Sequence, residues 1–259
     1  MGNYWQDRIA QAQTAITNKS IKQVEKQLEK YYLKATKQVI TDFENTYLKV
    51  LEQVEDDKQV TPALLYKLDS YWNMQTQLKQ ELLKLGNKEI SLLSKSFETN
   101  FFEVYYSLKI EGSTAFNTID KQAVQQMINS IWCADGKSWS QRIWDNTTQL
   151  ASTLNEELIS CVATGKKTSQ LKKILQERFN VSYSNVDSIV RTEMAHIQTQ
   201  ASQQRYKDYG VTQVEVWADE DERRCDVCGK LHQKKYLINE PLPIPAHPRC
   251  RCCVIPVVD

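Results

Sequence analysis

Residues that break helices are scarce in most of this chain and crowd into its end. The 259 residues include 7 Gly and 6 Pro, where average usage gives about 18 and 13. Five of the six prolines (Pro241, Pro243, Pro245, Pro248, Pro256) lie after residue 240. A chain with so few free or locked backbone positions has few places to turn, so long helices are the structure it builds most readily. The sequence therefore reads as mainly α: an elongated α-helical body over residues 1–164, then a small, irregular α+β module over residues 165–259.

Apolar spacing supports the helical reading. Val24, Leu28, Tyr31, Ala35, Val39, Phe43, Tyr47 and Val50 recur at steps of three or four, which places them on one helix face. The first helix is expected over residues 4–54, with Asn18-Lys19-Ser20 as a candidate interruption. A turn is expected at Glu55-Asp56-Asp57-Lys58, with Thr61 as N-cap and Pro62 opening the next helix. That second helix is expected to stop at Gly86-Asn87, and a third to run from there to Glu111-Gly112. Shorter helices are expected near 119–131, 139–163, 168–178 and 185–208. After Gly210, Val214 and Val216 alternate with polar neighbours as in a strand, and Val254 to Val258 form a second β segment.

Composition excludes several classes. At 41% apolar and 25% charged residues, the chain is not disordered throughout. Lys+Arg (33) and Asp+Glu (32) leave a net charge of +1, so any grip on a polyanion must come from local patches. No apolar run approaches the ~18 residues of a membrane span, and no membrane segment is expected. The start, Met1 to Arg8, lacks the basic-then-apolar order of a secretory signal. The expectation is a protein kept inside a cell, or inside something assembled there.

The tail carries the chemistry. Cys225 and Cys228 form a CxxC pair, followed after 18 intervening residues by His247, then by Cys250, Cys252 and Cys253. Two close pairs of soft donors at about this separation are the spacing of a structural zinc site. Each pair supplies one edge of a tetrahedron, and the ion stabilises a module too small to bury an adequate core. The expected ligands are Cys225, Cys228, His247 and Cys250, with Cys252 as the alternative, which makes the module zinc-stabilised. Reduced buried thiols, or a disulfide formed outside a reducing compartment, remain open alternatives. His232 is a further candidate donor.

These motifs, in order, resemble a known family. Trp217-Ala218, the run Asp221 to His232 containing Cys225-Asp226-Val227-Cys228, and Pro245-Ala246-His247-Pro248-Arg249-Cys250-Arg251-Cys252 are similar to the C-terminal signature of the phage Mu F-like minor head protein family. Ser188-Ile189-Val190-Arg191-Thr192-Glu193-Met194-Ala195 is similar to that family's upstream helix. The resemblance covers residues 165–256, with one departure at Gln233-Lys234, where a turn glycine is expected. It implies a minor component of a tailed-phage head that associates with the portal protein, the capsid protein or the head interior, and assists morphogenesis and DNA delivery. The localisation it implies is the virion, with host cytoplasm during assembly.

Other features read structurally. Asp187, Arg191 and Glu193 are expected as a polar cluster fixing the cysteine module to its helix, Asp187 and Arg191 being four residues apart. No catalytic residue and no enzymatic activity are expected. Lys19, Lys22, Lys26, Lys30, Lys34 and Lys37 form a stripe, and Lys166, Lys167, Lys172 and Lys173 a second basic patch. Both are candidate contacts for packaged double-stranded DNA. From residue 219 onward seven basic residues meet seven acids, a balance better suited to protein than to DNA. The alternative to the head-protein reading is a nucleic-acid-binding zinc protein with a helical dimerisation arm.

Overall fold

A computed structural model describes residues 4–52, 62–110, 118–218, 221 and 224–257. The expected turn at 55–61, the helix end at Glu111-Gly112 and the last valine lie outside the described residues. The chain is mostly helical, with a small C-terminal sheet. Helix α1 spans Tyr4–Glu52 without a break at Asn18, α2 spans Pro62–Leu65 and α3 spans Asp69–Ser107. Then come α4 (Lys121–Ile128), α5 (Trp139–Ala163) and α6 (Thr168–Asp208). Strand β1 (Gln213–Trp217), helix α7 (Asp226–Leu231), β2 (Lys235–Leu237) and β3 (Cys253–Pro256) complete the fold.

Two expected helix boundaries dissolve. Helix α3 continues through Gly86-Asn87 because Gly86 is an inward, packed position. A Cβ there would lie 2.6 Å from the Trp144 ring, so the missing side chain is what lets α5 come close. Helix α6 likewise runs through the expected gap at 179–184, where Phe179 and Ser182 are buried. Ser182 shares hydrogen bonds with Tyr32 and Asn146, at 3.0 and 2.8 Å. Tertiary packing outweighs local propensity at both places.

The residues group into two compact units, each assembled from separated stretches. Unit 2 comprises Lys26–Ser91 and Ser140–Val186. Its core takes Leu28, Val39 and Phe43 from α1, Leu78, Leu82 and Leu85 from α3, Ile143, Leu154 and Leu158 from α5, and Leu171, Leu175 and Phe179 from α6. Glu89 is fully buried, and neither carboxyl oxygen has a hydrogen-bond partner among the described residues. Burial raises its pKa to about 7; the nearby Tyr32 hydroxyl pulls the other way without hydrogen-bond geometry.

Unit 1 comprises Met1–Glu25, Leu92–Trp139 and Asp187–Asp259, and it holds the cysteine module. The sheet has the order β2-β1-β3, antiparallel throughout, with Val214 opposite Tyr236 on one side and Val216 opposite Val254 on the other. One face packs Trp217, Cys253 and Ile255 against Ile9 and Ala10 of α1. The outer edge of β3 is covered by side chains. Gln13 donates to the Val254 carbonyl and to the Tyr206 hydroxyl, both at 3.0 Å, while Ser202 donates to Gln13 at 2.7 Å. An edge covered in this way leaves fewer open backbone groups for unwanted pairing.

Candidate metal centre

The CxxC half of the centre is a tight knuckle at the start of α7. Cys225 is the N-cap, its sulfur accepting the Cys228 N–H at 3.4 Å, and the Gly229 N–H bonds back to the Cys225 carbonyl at 2.9 Å. The other half is the turn preceding β3, closed by Cys250 N–H to the His247 carbonyl at 3.2 Å. This brings donors from both halves together. Cys225 Sγ lies 3.2 Å and Cys228 Sγ 3.1 Å from His247 Nε2, and Cys228 Sγ lies 3.7 Å from Cys250 Sγ. Cys225, Cys228 and His247 form one triad, and Cys228, Cys250 and Cys252 form another, with all donor atoms in each triad within 4.8 Å of one another.

The histidine is oriented as a ligand would be. Its Nδ1 donates to the Pro248 carbonyl at 2.8 Å, because a carbonyl only accepts. In the neutral ring this leaves the Nε2 lone pair facing the sulfurs. The thiols divide the available charge unevenly. Cys250 is pulled down to about 5, first by a hydrogen bond from the Cys252 thiol. The same bond, reinforced by burial, pushes Cys252 upward, and burial pushes Cys228 up to about 12. A bound cation would lower all of them, because it stabilises every thiolate it touches. The cluster is geometrically able to hold a metal ion.

Arginines surround the thiols. Arg224, Arg249 and Arg251 line a cavity of about 50 Å³ together with Cys225, Cys228, His247 and Cys252. Arg251 is held by Asp221 in a two-bond fork, at 2.6 and 2.7 Å. Arg249 sits in the left-handed region at φ 61°, a conformation unfavourable for a non-glycine residue. It is kept there by its neighbours: its N–H donates to Thr192 Oγ1 at 3.0 Å and its guanidinium pairs with Asp187 at 2.9 Å.

The expected polar cluster separates into two parts. Asp187 and Arg191 pair at 3.1 Å, Arg191 also pairs with Glu25, and Asp187 receives Arg249 from the cysteine module. Glu193 faces elsewhere and accepts the Trp132 indole N–H at 2.9 Å. His196 stacks on Trp132 with ring centroids 4.1 Å apart, and burial lowers its pKa to about 4. His232 belongs to neither donor triad; its Nδ1 accepts the Ala218 N–H at 3.1 Å and its ring meets Trp217 edge-on. Thr192, Arg224, Arg249 and Arg251 carry no signature of their own in the sequence, although all four lie inside the motifs Ser188 to Ala195, Asp221 to His232 and Pro245 to Cys252.

The lysines of both patches are placed on helices or at their starts. Lys19, Lys22, Lys26, Lys30, Lys34 and Lys37 are exposed on α1, and Lys172 and Lys173 are exposed on α6. Lys167, just before α6, is exposed, while Lys166 is half-buried. Among the described residues no helix is long and apolar enough to cross a membrane.

Helices that frame a small sheet and a Cys/His cluster define a mixed α+β module whose donors could hold a metal ion. Sequence comparison matches residues 152–255 to the family described as Phage Mu protein F like protein. The chain is also similar to the NAD(+)--arginine ADP-ribosyltransferase EFV of Enterococcus faecalis, at 24% identity over 186 residues. That alignment covers 64% of this chain and 38% of the relative. No solved structure matches. The relative corrects one expectation. No enzymatic activity was expected of this chain, yet a known enzyme is similar to it over 64% of its length, which overturns that expectation.

Proposed function

We propose that the chain serves in phage head morphogenesis, as a minor head protein that joins the portal or head shell during assembly in the host cytoplasm and stays in the virion. The family match over residues 152–255 carries this reading. In it, residues 165–259 form the module that one zinc ion holds folded, and the helical residues 1–164 supply the body. Cys225, Cys228, His247 and Cys250 are the proposed ligands. Tetrahedral zinc at its usual bond lengths sets S···S edges of about 3.8 Å and S···N edges of about 3.6 Å. The 3.7 Å sulfur pair fits directly, and the sulfur–nitrogen distances of 3.2 and 3.1 Å fit after a small expansion. Three thiolates around a divalent ion leave one net negative charge, which the lining arginines offset.

The lysine stripe on α1 adds packaged double-stranded DNA as a partner. Its exposed amines along one helix face suit a row of phosphates, and binding of this kind falls steeply with salt. The similarity to the arginine ADP-ribosyltransferase supports a second reading, in which this chain, or a longer protein containing it, transfers ADP-ribose from NAD+ to arginine.

Co-expression of the tagged chain with the head proteins encoded beside it, followed by purification and mass spectrometry, tests the first reading. Recovery of portal or capsid protein in a salt-resistant complex is expected; recovery of nucleic acid alone, lost as salt rises, favours the nucleic-acid-binding alternative. Incubation with labelled NAD+ and a free guanidine acceptor tests the second. Label transfer supports it, and NAD+ left intact beside an active control transferase counts against it for this chain.

A further inference from the structure

Five donors converge at the centre, one more than a tetrahedral ion takes. Cys228 belongs to both triads. Cys250 and Cys252 compete for the same remaining position by different routes. The Cys250 sulfur is the one within 3.7 Å of Cys228, whereas Cys252 lines the cavity shared with Cys225, Cys228 and His247. The stretch before β3 alternates buried Cys250, exposed Arg251 and buried Cys252. Such alternation places both cysteines on one face of extended backbone.

We infer that Cys250 and Cys252 are interchangeable fourth ligands, so that the ion keeps Cys225, Cys228 and His247 while either thiolate completes its shell. The inference rests on the metal reading above. In the exchange, one metal–sulfur bond breaks at the departing thiolate and another forms at the arriving sulfur. The arriving thiol gives its proton to the departing sulfur, the two sulfurs lying within 4.8 Å of each other. Nothing is oxidised or reduced, and the ion never drops below three protein ligands. The site therefore tolerates loss of either inner thiol.

The experiment uses the full chain and the variants Cys250→Ser, Cys252→Ser and the double replacement, with Cys253→Ser as a packing control. Cys253 is equally buried but belongs to neither triad. Metal content is measured by elemental analysis, coordination by the visible spectrum of the cobalt-substituted protein, and lability by release to a coloured chelator. Both single variants are expected to hold one ion with an S3N cobalt spectrum and to release it no more than about tenfold faster than the unmodified chain. The double variant is expected to lose the S3N spectrum and release metal at least about a hundredfold faster. A single variant that behaves like the double overturns the inference. A Cys253→Ser variant as labile as the double overturns it too, since packing then explains the loss. An unmodified chain that binds neither zinc nor cobalt overturns the metal reading itself, a result distinct from either of these.

Discussion

Unit 2 and the cysteine module achieve a stable interior by opposite means. Unit 2 packs long helices around an apolar core and fully buries Glu89, whose carboxyl oxygens have no hydrogen-bond partner among the described residues. Beyond α6 the module has three short strands and a six-residue helix among its described residues. Its inner residues include four cysteines, and its link to α6 is polar, through Thr192 and Asp187. Apolar burial scales with area, so the larger unit stabilises itself. A segment this small depends on a few directional contacts and on whatever its thiols bind. The comparison teaches where each region is vulnerable: unit 2 to volume and buried charge, the module to loss of a ligand.

The largest expected effect is on the module. On the zinc reading, Cys225→Ser removes one ligand and is expected to expose the strand and turn amides of residues 224–257 to rapid hydrogen exchange, while the helical circular dichroism falls only slightly. Equal loss of protection in α5 breaks the contrast between the two regions.

Glu89 comes next and acts through pH. An ordinary glutamate titrates near 4.5, and burial raises Glu89 to about 7. The folded state therefore holds a proton that the unfolded chain has released between those values. Stability associated with Glu89 is fully present below pH 4.5 and is lost as the pH rises to about 7, by roughly 3 kcal/mol. Denaturant melts of Glu89→Gln should match the unmodified protein at pH 4.5 and exceed it progressively up to pH 8. A constant difference at all pH values contradicts this.

Gly86→Ala tests the close approach of α3 and α5. The added methyl gains about 1 kcal/mol of helix propensity but meets the Trp144 ring at 2.6 Å. A net loss of about 1–2 kcal/mol is expected in chemical denaturation; a gain shows that the ring moves aside freely.

The smallest effect is at Gln233, an exposed residue at φ 62°. Glycine occupies that conformation without strain, so Gln233→Gly is expected to raise module stability by less than about 1 kcal/mol. Measurable destabilisation shows that the Gln233 side chain contributes a contact.

Sequence legibility followed the range of the forces involved. The Cys225-to-Cys252 donor pattern is local, written in two short motifs, and the structure gathers those donors into two triads that share Cys228. The glycine missing at position 233 was also visible, and the backbone there adopts the conformation a glycine favours. What the sequence concealed was set by distant partners. Gly86 reads as a helix stop unless Trp144 is known to lie against it, and Ser182 reads as a break unless Tyr32 and Asn146 are known to satisfy it. The short β2 strand lacks a pattern of its own and exists because Tyr236 pairs with Val214. Arg191 and Glu193, two residues apart on α6, serve separate partners, a division that spacing alone leaves undetermined.

Elemental analysis of the freshly purified, untagged full chain tests the account most directly. It predicts one zinc per chain, retained through gel filtration, with chelation opening residues 224–257 to exchange while unit 2 stays protected. A chain that carries no metal, gains none when zinc is supplied, and keeps those residues protected under a strong chelator contradicts it.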